Sequence, residues 1–196
     1  LPDDGIPGEL TDDVRGSILY FAYGSNALSA RLKRRCNSAR IVTTAQARGH
    51  RVAFDKLSVD TSGKANLVRG DASTSALGVV YEISSADARG LDAIEGPGYR
   101  RRDGFPVTCL QTGGQSRAIT YTACENVAGL QPYDWYLALV LAGLAEHGID
   151  AAYARELQST RSVVDPEKDR ETRHNALRDL RAAGHPDYNS LLRVPA

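Results

Sequence analysis

Two short stretches carry residue types suited to acid–base chemistry on a bound polar molecule. The first is Tyr23-Gly24-Ser25-Asn26, which closes an aromatic, apolar run over 17–23 and opens a helical pattern. Glycine lets the chain turn tightly and lets a ligand approach the backbone, and the amides that follow can point outward to hold a carboxylate or other anion. An ordinary strand-to-helix turn capped by Asn26 fits the same residues. The second stretch is Leu91-Asp92-Ala93-Ile94-Glu95-Gly96. At a helix C-terminus the Glu95 carboxylate meets the negative end of the macrodipole. That end and any burial disfavour its charged form, which suits a general base working near neutral pH. Asp92 lies one turn back on the same face as a rival, and two solvated acids at a helix end are the plain alternative. A third group shares one helix. Tyr136 either offers its hydroxyl to a ligand or packs in the core; Gly143, two turns on along the same face, is small enough to admit a neighbouring backbone; Glu146 and His147 follow.

Other elements must hold these groups. Residues 17–23 read as a buried strand and 27–35 as a helix, with Asn26 or Ser29 as cap and Arg/Lys gathered toward its end. Strands are expected over 39–45, 50–54, 65–68 and 76–83, punctuated by Gly49, Ser62-Gly63 and Gly70-Asp71. Ser84 and Asp87 resemble a capping pair for a helix over 84–95 that Gly96-Pro97-Gly98 stops. Strands over 105–111 and 116–124 make a hairpin around Gly113-Gly114, with Arg100-Arg101-Arg102 a solvated approach to it. A helix over 132–147 is apolar on most sides and expected to be well buried. Helices over 151–158 and 166–183 follow, the second polar and expected on the surface. Short strands with inserted helices predict an α+β domain with a curled sheet or barrel at its centre.

The bulk composition excludes several functions. The 24 basic and 24 acidic residues balance, so no global field draws nucleic acid or an anionic membrane. The longest apolar run, 137–144, is far short of the roughly 20 residues that span a bilayer. No secretion signal opens the sequence, and the absence of Met suggests that the numbering starts after the natural start. Cys36, Cys109 and Cys124 lack C-x-x-C spacing and read as reduced, buried thiols of a cytoplasmic protein. The four histidines lack metal-ligand spacing. Neither a phosphate-loop nor a serine-nucleophile motif occurs.

The ordered set of motifs resembles the γ-glutamylcyclotransferase (AIG2-like) family. It runs Tyr20-Phe21-Ala22-Tyr23-Gly24-Ser25-Asn26, Gly78-Val79-Val80-Tyr81-Glu82, Leu91 to Gly96, Tyr99-Arg100-Arg101, Ala118-Ile119-Thr120-Tyr121, Tyr136, and Gly143 to Gly148. Together these motifs span roughly 18–157. The resemblance implies an α+β fold with a mixed β-barrel flanked by helices. It implies attack of a γ-glutamyl α-amine on its own γ-carbonyl, releasing 5-oxoproline and a free amine or amino acid, with no metal or cofactor. It maps the catalytic acid onto Glu95 and substrate binding onto Tyr20, Phe21, Ala22, Tyr23, Gly24, Ser25 and Asn26, with Tyr99 and Tyr136. On this reading 1–16 is a flexible tail, 17–158 the catalytic domain and 159–196 a charged helical extension. The partner is a small γ-glutamyl molecule, and a homodimer is an option. The chain departs from the pattern at Ala27, where a larger apolar residue is common, in the short Glu95-to-Tyr99 connection, and in the tail beyond 158. Glutathione-specific relatives usually lack the Asn in this loop, so free glutathione ranks below γ-glutamyl amino acids or amines. A biosynthetic enzyme that removes a γ-glutamyl protecting group, and a non-catalytic γ-glutamyl-binding module, are the competing readings.

Overall fold

The computed structural model describes residues 16–193, so all of the expected tail but Gly16 and the last three residues of the extension lie outside the described residues. Strand β1 (Ser17–Ala22) pairs antiparallel with β5 (Ser75–Ser84), Tyr20 opposite Tyr81. On its other edge β5 carries β2 (Arg40–Arg48), and β2 meets β6 (Tyr99–Cys109) at Ala45 and Gln46. The hairpin partner of β6 is β7 (Gln115–Ala123), which returns beside β1 in parallel, Tyr20 against Ile119. That single parallel pairing closes the barrel β1-β5-β2-β6-β7 and removes its free edges. Strands β3 (His50–Leu57) and β4 (Gly63–Arg69) form a separate two-stranded ribbon.

Six helices accompany the barrel among the described residues. They are α1 (Ser29–Arg35), α2 (Ser85–Glu95), α3 (Asp134–Glu146), α4 (Ala151–Gln158), α5 (Glu171–Ala182) and α6 (Asn189–Leu192). The fold is the α+β mixed barrel that the sequence predicted. Helix α3 is apolar all round because it is enclosed: every residue from Asp134 to Leu144 is buried. Gly143 explains how α3 comes so close to β1's exit. A Cβ there would stand 2.6 Å from the Leu28 nitrogen and 2.8 Å from the Ala27 carbonyl carbon. Gly143→Ala is therefore expected to destabilise by about 1–3 kcal/mol through overpacking, read as a lowered urea midpoint. An unchanged midpoint would show that α3 and the turn can part without cost.

Several local details differ from expectation. The chain leaves β1 through a 3-10 turn (Ser25–Ala27) before α1 begins at Ser29, and neither Asn26 nor Ser29 caps α1 with its side chain. Glu146 of α3 does so from outside, its Oε2 accepting the Ser29 N–H at 2.9 Å. Asn26 is turned toward Glu95, and the Ser29 hydroxyl toward Tyr81 and His147. Ser84 does cap α2, accepting the Asp87 N–H at 3.1 Å. Arg100 to Arg102 belong to β6 itself. Helix α5 starts at Glu171 and buries Ala176, Asp179 and Leu180, so only part of it faces solvent. All three cysteines are free, but only Cys36 is buried; Cys109 is half-buried and Cys124 exposed. Among the described residues no helix is long and apolar enough to cross a membrane, and no group of three His, Cys, Asp or Glu side chains is arranged to hold a metal ion.

Candidate active site

The turn after β1 and the end of α2 meet at a small cavity of about 320 Å³ that both line. Gly24, Ser25 and Asn26 line it together with Glu95, which Asn26 touches directly; Tyr20, Tyr23, Tyr99, Tyr121, Tyr136 and Ala65 complete the lining. They arrive on five elements: β1 supplies Tyr20 and, just past its end, Tyr23; β7 supplies Tyr121 and β4 Ala65; β6 opens with Tyr99, and α3 brings Tyr136. Gly24 permits the closeness, because a Cβ at that position would stand 3.0 Å from the Ala65 Cβ.

Glu95 is the last residue of α2, and its side chain is 14% exposed. Asn26 Nδ2 donates to its Oε1 at 3.0 Å, and Arg35 Nη1 reaches the same oxygen at 3.4 Å. Asn26 Nδ2 also donates to the Tyr20 hydroxyl at 3.0 Å, while its Oδ1 accepts from Arg35 Nη1 at 3.0 Å. The reverse amide orientation would set two oxygens against each other, so the network fixes it. Among the described residues no protein donor engages the second carboxylate oxygen, Oε2. A cation and an amide therefore answer the unfavourable helix end at one oxygen and leave the other for a ligand.

The turn is held from behind. Arg31, buried on α1, donates from Nε to the Ser25 hydroxyl at 3.1 Å. Burial, with Arg35 next, pushes its pKa down, against which Tyr136 and Asp179 work. The backbone N–H groups of Gly24, Ser25 and Asn26 enter no backbone–backbone turn, loop or cap bond among the described residues. They open the 3-10 turn as a short run of donors.

The tyrosines provide a neutral lining. Burial pushes the phenols of Tyr20, Tyr23, Tyr99, Tyr121 and Tyr136 upward, with the Glu95 charge adding to it at Tyr20. They therefore act as polar but uncharged groups. Tyr99 donates to the Ala65 carbonyl at 2.7 Å, and the Tyr136 hydroxyl accepts the Ala65 N–H at 3.1 Å. The cavity lining includes every expected site residue except two. Phe21 and Ala22 are fully buried in the core, Phe21 stacked on Phe105, because the strand leading to a turn packs inside the barrel while the turn itself faces the cavity. The rival acid Asp92 is occupied elsewhere: it accepts from the Tyr121 hydroxyl at 2.6 Å and pairs with Arg101 at 3.1 Å.

Four residues around the site were missed in the sequence: Arg31, Arg35, Ala65 and Tyr121. Arg31 and Arg35 stand four apart on the helix that follows the turn, so their shared face was a usable signal. Tyr121 lay in the Ala118-to-Tyr121 motif without a site role assigned to it, and nothing local marks Ala65.

Residues 75–157 match the model of the AIG2-like family, a span that includes Glu95, Tyr99 and Tyr136 but not the turn. A relative, the γ-glutamylcyclotransferase of Bos taurus, is 26% identical over 147 residues, covering 73% of this chain and 78% of that one. The segment that carries Glu95 is thus similar to the AIG2-like family, and the chain as a whole is similar to a γ-glutamylcyclotransferase. Its fold agrees with that of solved structures. An uncharacterized human protein superposes with a TM-score of 0.75 at 24% identity, covering 84% of this chain and 99% of that one. A γ-glutamyl cyclotransferase does so at 0.73 and 24% identity, covering 83% and 98%. The β1 turn and the α2 carboxylate thus stand on a barrel whose fold these solved structures share.

Proposed function

We propose that the chain is a γ-glutamylcyclotransferase that cleaves γ-glutamyl amino acids or amines to 5-oxoproline and a free amine. The observation that carries this reading is the Glu95 carboxylate, fixed at Oε1 by Asn26 and Arg35 and open at Oε2, lining one cavity with the Gly24–Asn26 turn. The family match and the bovine relative support it.

The chemistry follows from those groups. A γ-glutamyl α-amine is an ammonium at neutral pH and must lose a proton to become a nucleophile. Glu95 takes that proton. The nitrogen then attacks the γ-carbonyl carbon of the same molecule, and the N–H groups of Gly24, Ser25 and Asn26 stabilise the developing oxyanion. The bond to the departing nitrogen breaks as Glu95 returns a proton to it. Two protons in all leave the α-nitrogen and two reach the leaving group, which departs as an ammonium, and Glu95 ends as it began. Nucleophile and carbonyl belong to one molecule, so the tyrosine-lined cavity mainly has to fold the substrate into the attack geometry, a contribution of several kcal/mol.

A panel of γ-glutamyl amino acids and γ-glutamyl amines, followed for 5-oxoproline by mass spectrometry, tests the reading. Release of 5-oxoproline in step with the free amine is expected. Saturable binding of these compounds without any 5-oxoproline would instead make the protein a binding module.

A further inference from the structure

Beyond the first cavity lies a second, of about 950 Å³, which shares Ser25, Glu95, Tyr99 and Tyr136 with it. A γ-glutamyl group seated with its γ-carbonyl at Glu95 directs its leaving group into this adjoining space. Five cations line the chamber, and four of them already hold carboxylates. Arg35 is bound to Glu95, and Lys64 to Asp60 at 2.8 Å. Arg170 is bound to Asp165 at 3.0 Å and Glu167 at 2.9 Å, and Arg31 faces Asp179 at 3.5 Å.

Lys56 differs from these four. No carboxylate lies within salt-bridge distance of its ammonium among the described residues, and it is half-buried rather than free in solvent. Its Nζ rests over the Tyr99 ring, 4.9 Å from the centroid. That ring belongs to both cavities, so the ammonium stands at their junction. Gly98 makes the room: a Cβ there would come 2.7 Å from Lys56 Cε and 2.9 Å from Nζ. A half-desolvated ammonium left without a counter-ion beside a reacting centre is costly unless a ligand supplies the anion. The exposed Val59 and Ile94 side chains on the same chamber offer apolar contact to whatever accompanies that anion.

We propose that Lys56 binds the carboxylate of the leaving group, so that the second chamber selects γ-glutamyl derivatives of apolar α-amino acids over those of simple amines. The inference rests on the cyclotransferase reading above. A carboxylate on the carbon next to the departing nitrogen reaches Lys56 while that nitrogen stays near Glu95. A monoamine leaving group fills the same space but leaves the ammonium unpaired.

The test compares γ-glutamyl-leucine with γ-glutamyl-leucinamide, which has the same shape without the negative charge. The wild type is expected to favour the carboxylate by about tenfold or more in kcat/KM. In Lys56→Met the ratio should fall to within about threefold, the loss falling far more heavily on γ-glutamyl-leucine, while Lys56→Arg should keep most of the preference. Thermal melts of both variants separate this effect from misfolding. Equal use of the two substrates by the wild type, or a preference that survives Lys56→Met, overturns the proposal. Calorimetric binding of the same two compounds separates the two readings. Lys56-dependent preference in binding without turnover keeps the subsite and removes the cyclotransferase reading. Absence of binding to either compound overturns the subsite as well.

Discussion

Glu95→Gln is expected to fold as the wild type does and to lose about 10³-fold or more in kcat, at the upper end of what a positioned general base contributes. The geometry makes this substitution unusually clean. Both protein contacts of the side chain fall on Oε1, from Asn26 and Arg35. A glutamine Oε1 can accept both and place its NH₂ where Oε2 stood. Shape and hydrogen bonds survive; the proton acceptor does not. The Arg35 pair is partly exposed, so its loss should cost about 1 kcal/mol of stability or less. Asp92→Asn is the matched control. Its carboxylate serves Tyr121 and Arg101 and does not line the cavity, so activity should fall less than about tenfold. Near-normal turnover by Glu95→Gln, measured as 5-oxoproline release, would remove Glu95 from the chemistry; a comparable loss at Asp92 would move the base there.

What the sequence disclosed and what it hid divide along a physical line. The turn at Gly24 and the stop at Gly96 are local: a glycine between an apolar run and a helical pattern is enough to expose a backbone and end an element. The central helix was legible because an all-round apolar pattern has few destinations other than the interior. Gly143 was legible as a close approach, although not what approached. The partners of these features were hidden because folding, and not spacing, brings them together. Glu95 and Asn26 are 69 residues apart, Ala65 and Tyr136 71, and Arg34 and Asp179 145. Helix-dipole reasoning assigned the α1 cations to the helix end, but three of them turn to specific carboxylates. Composition disclosed the α5 helix but concealed its buried face of Ala176, Asp179 and Leu180.

That face leads to a second large effect. Asp179→Ala should destabilise the protein by about 3 kcal/mol or more and damage the site at the same time, although the residue lies far along the chain from Glu95. Its carboxylate is 4% exposed and receives Arg34 through two bonds, Nε at 2.9 Å and Nη2 at 2.7 Å, with Arg31 at 3.5 Å. Removing it strands the buried Arg31 guanidinium without its counter-charge, and breaking a buried pair from one side is the costly way to break it. Arg31 also holds the Ser25 hydroxyl, so its displacement passes to the cavity-lining turn within one hydrogen bond. Asp179 is therefore expected to act as a positioning residue, because its contacts tie α5 to the turn that lines the cavity. Two measurements distinguish this from a general loss of stability. At a temperature where the variant is fully folded, KM for a γ-glutamyl amino acid should still rise several-fold, because Ser25 has lost its support. The double variant Arg31→Met/Asp179→Leu, which removes the buried pair, fills the space and leaves the partly exposed Arg34 to solvent, should recover much of the stability but not the KM. If Asp179→Ala melts earlier yet binds and turns over substrate normally once folded, α5 is a brace for the fold alone, and the turn keeps its shape without it.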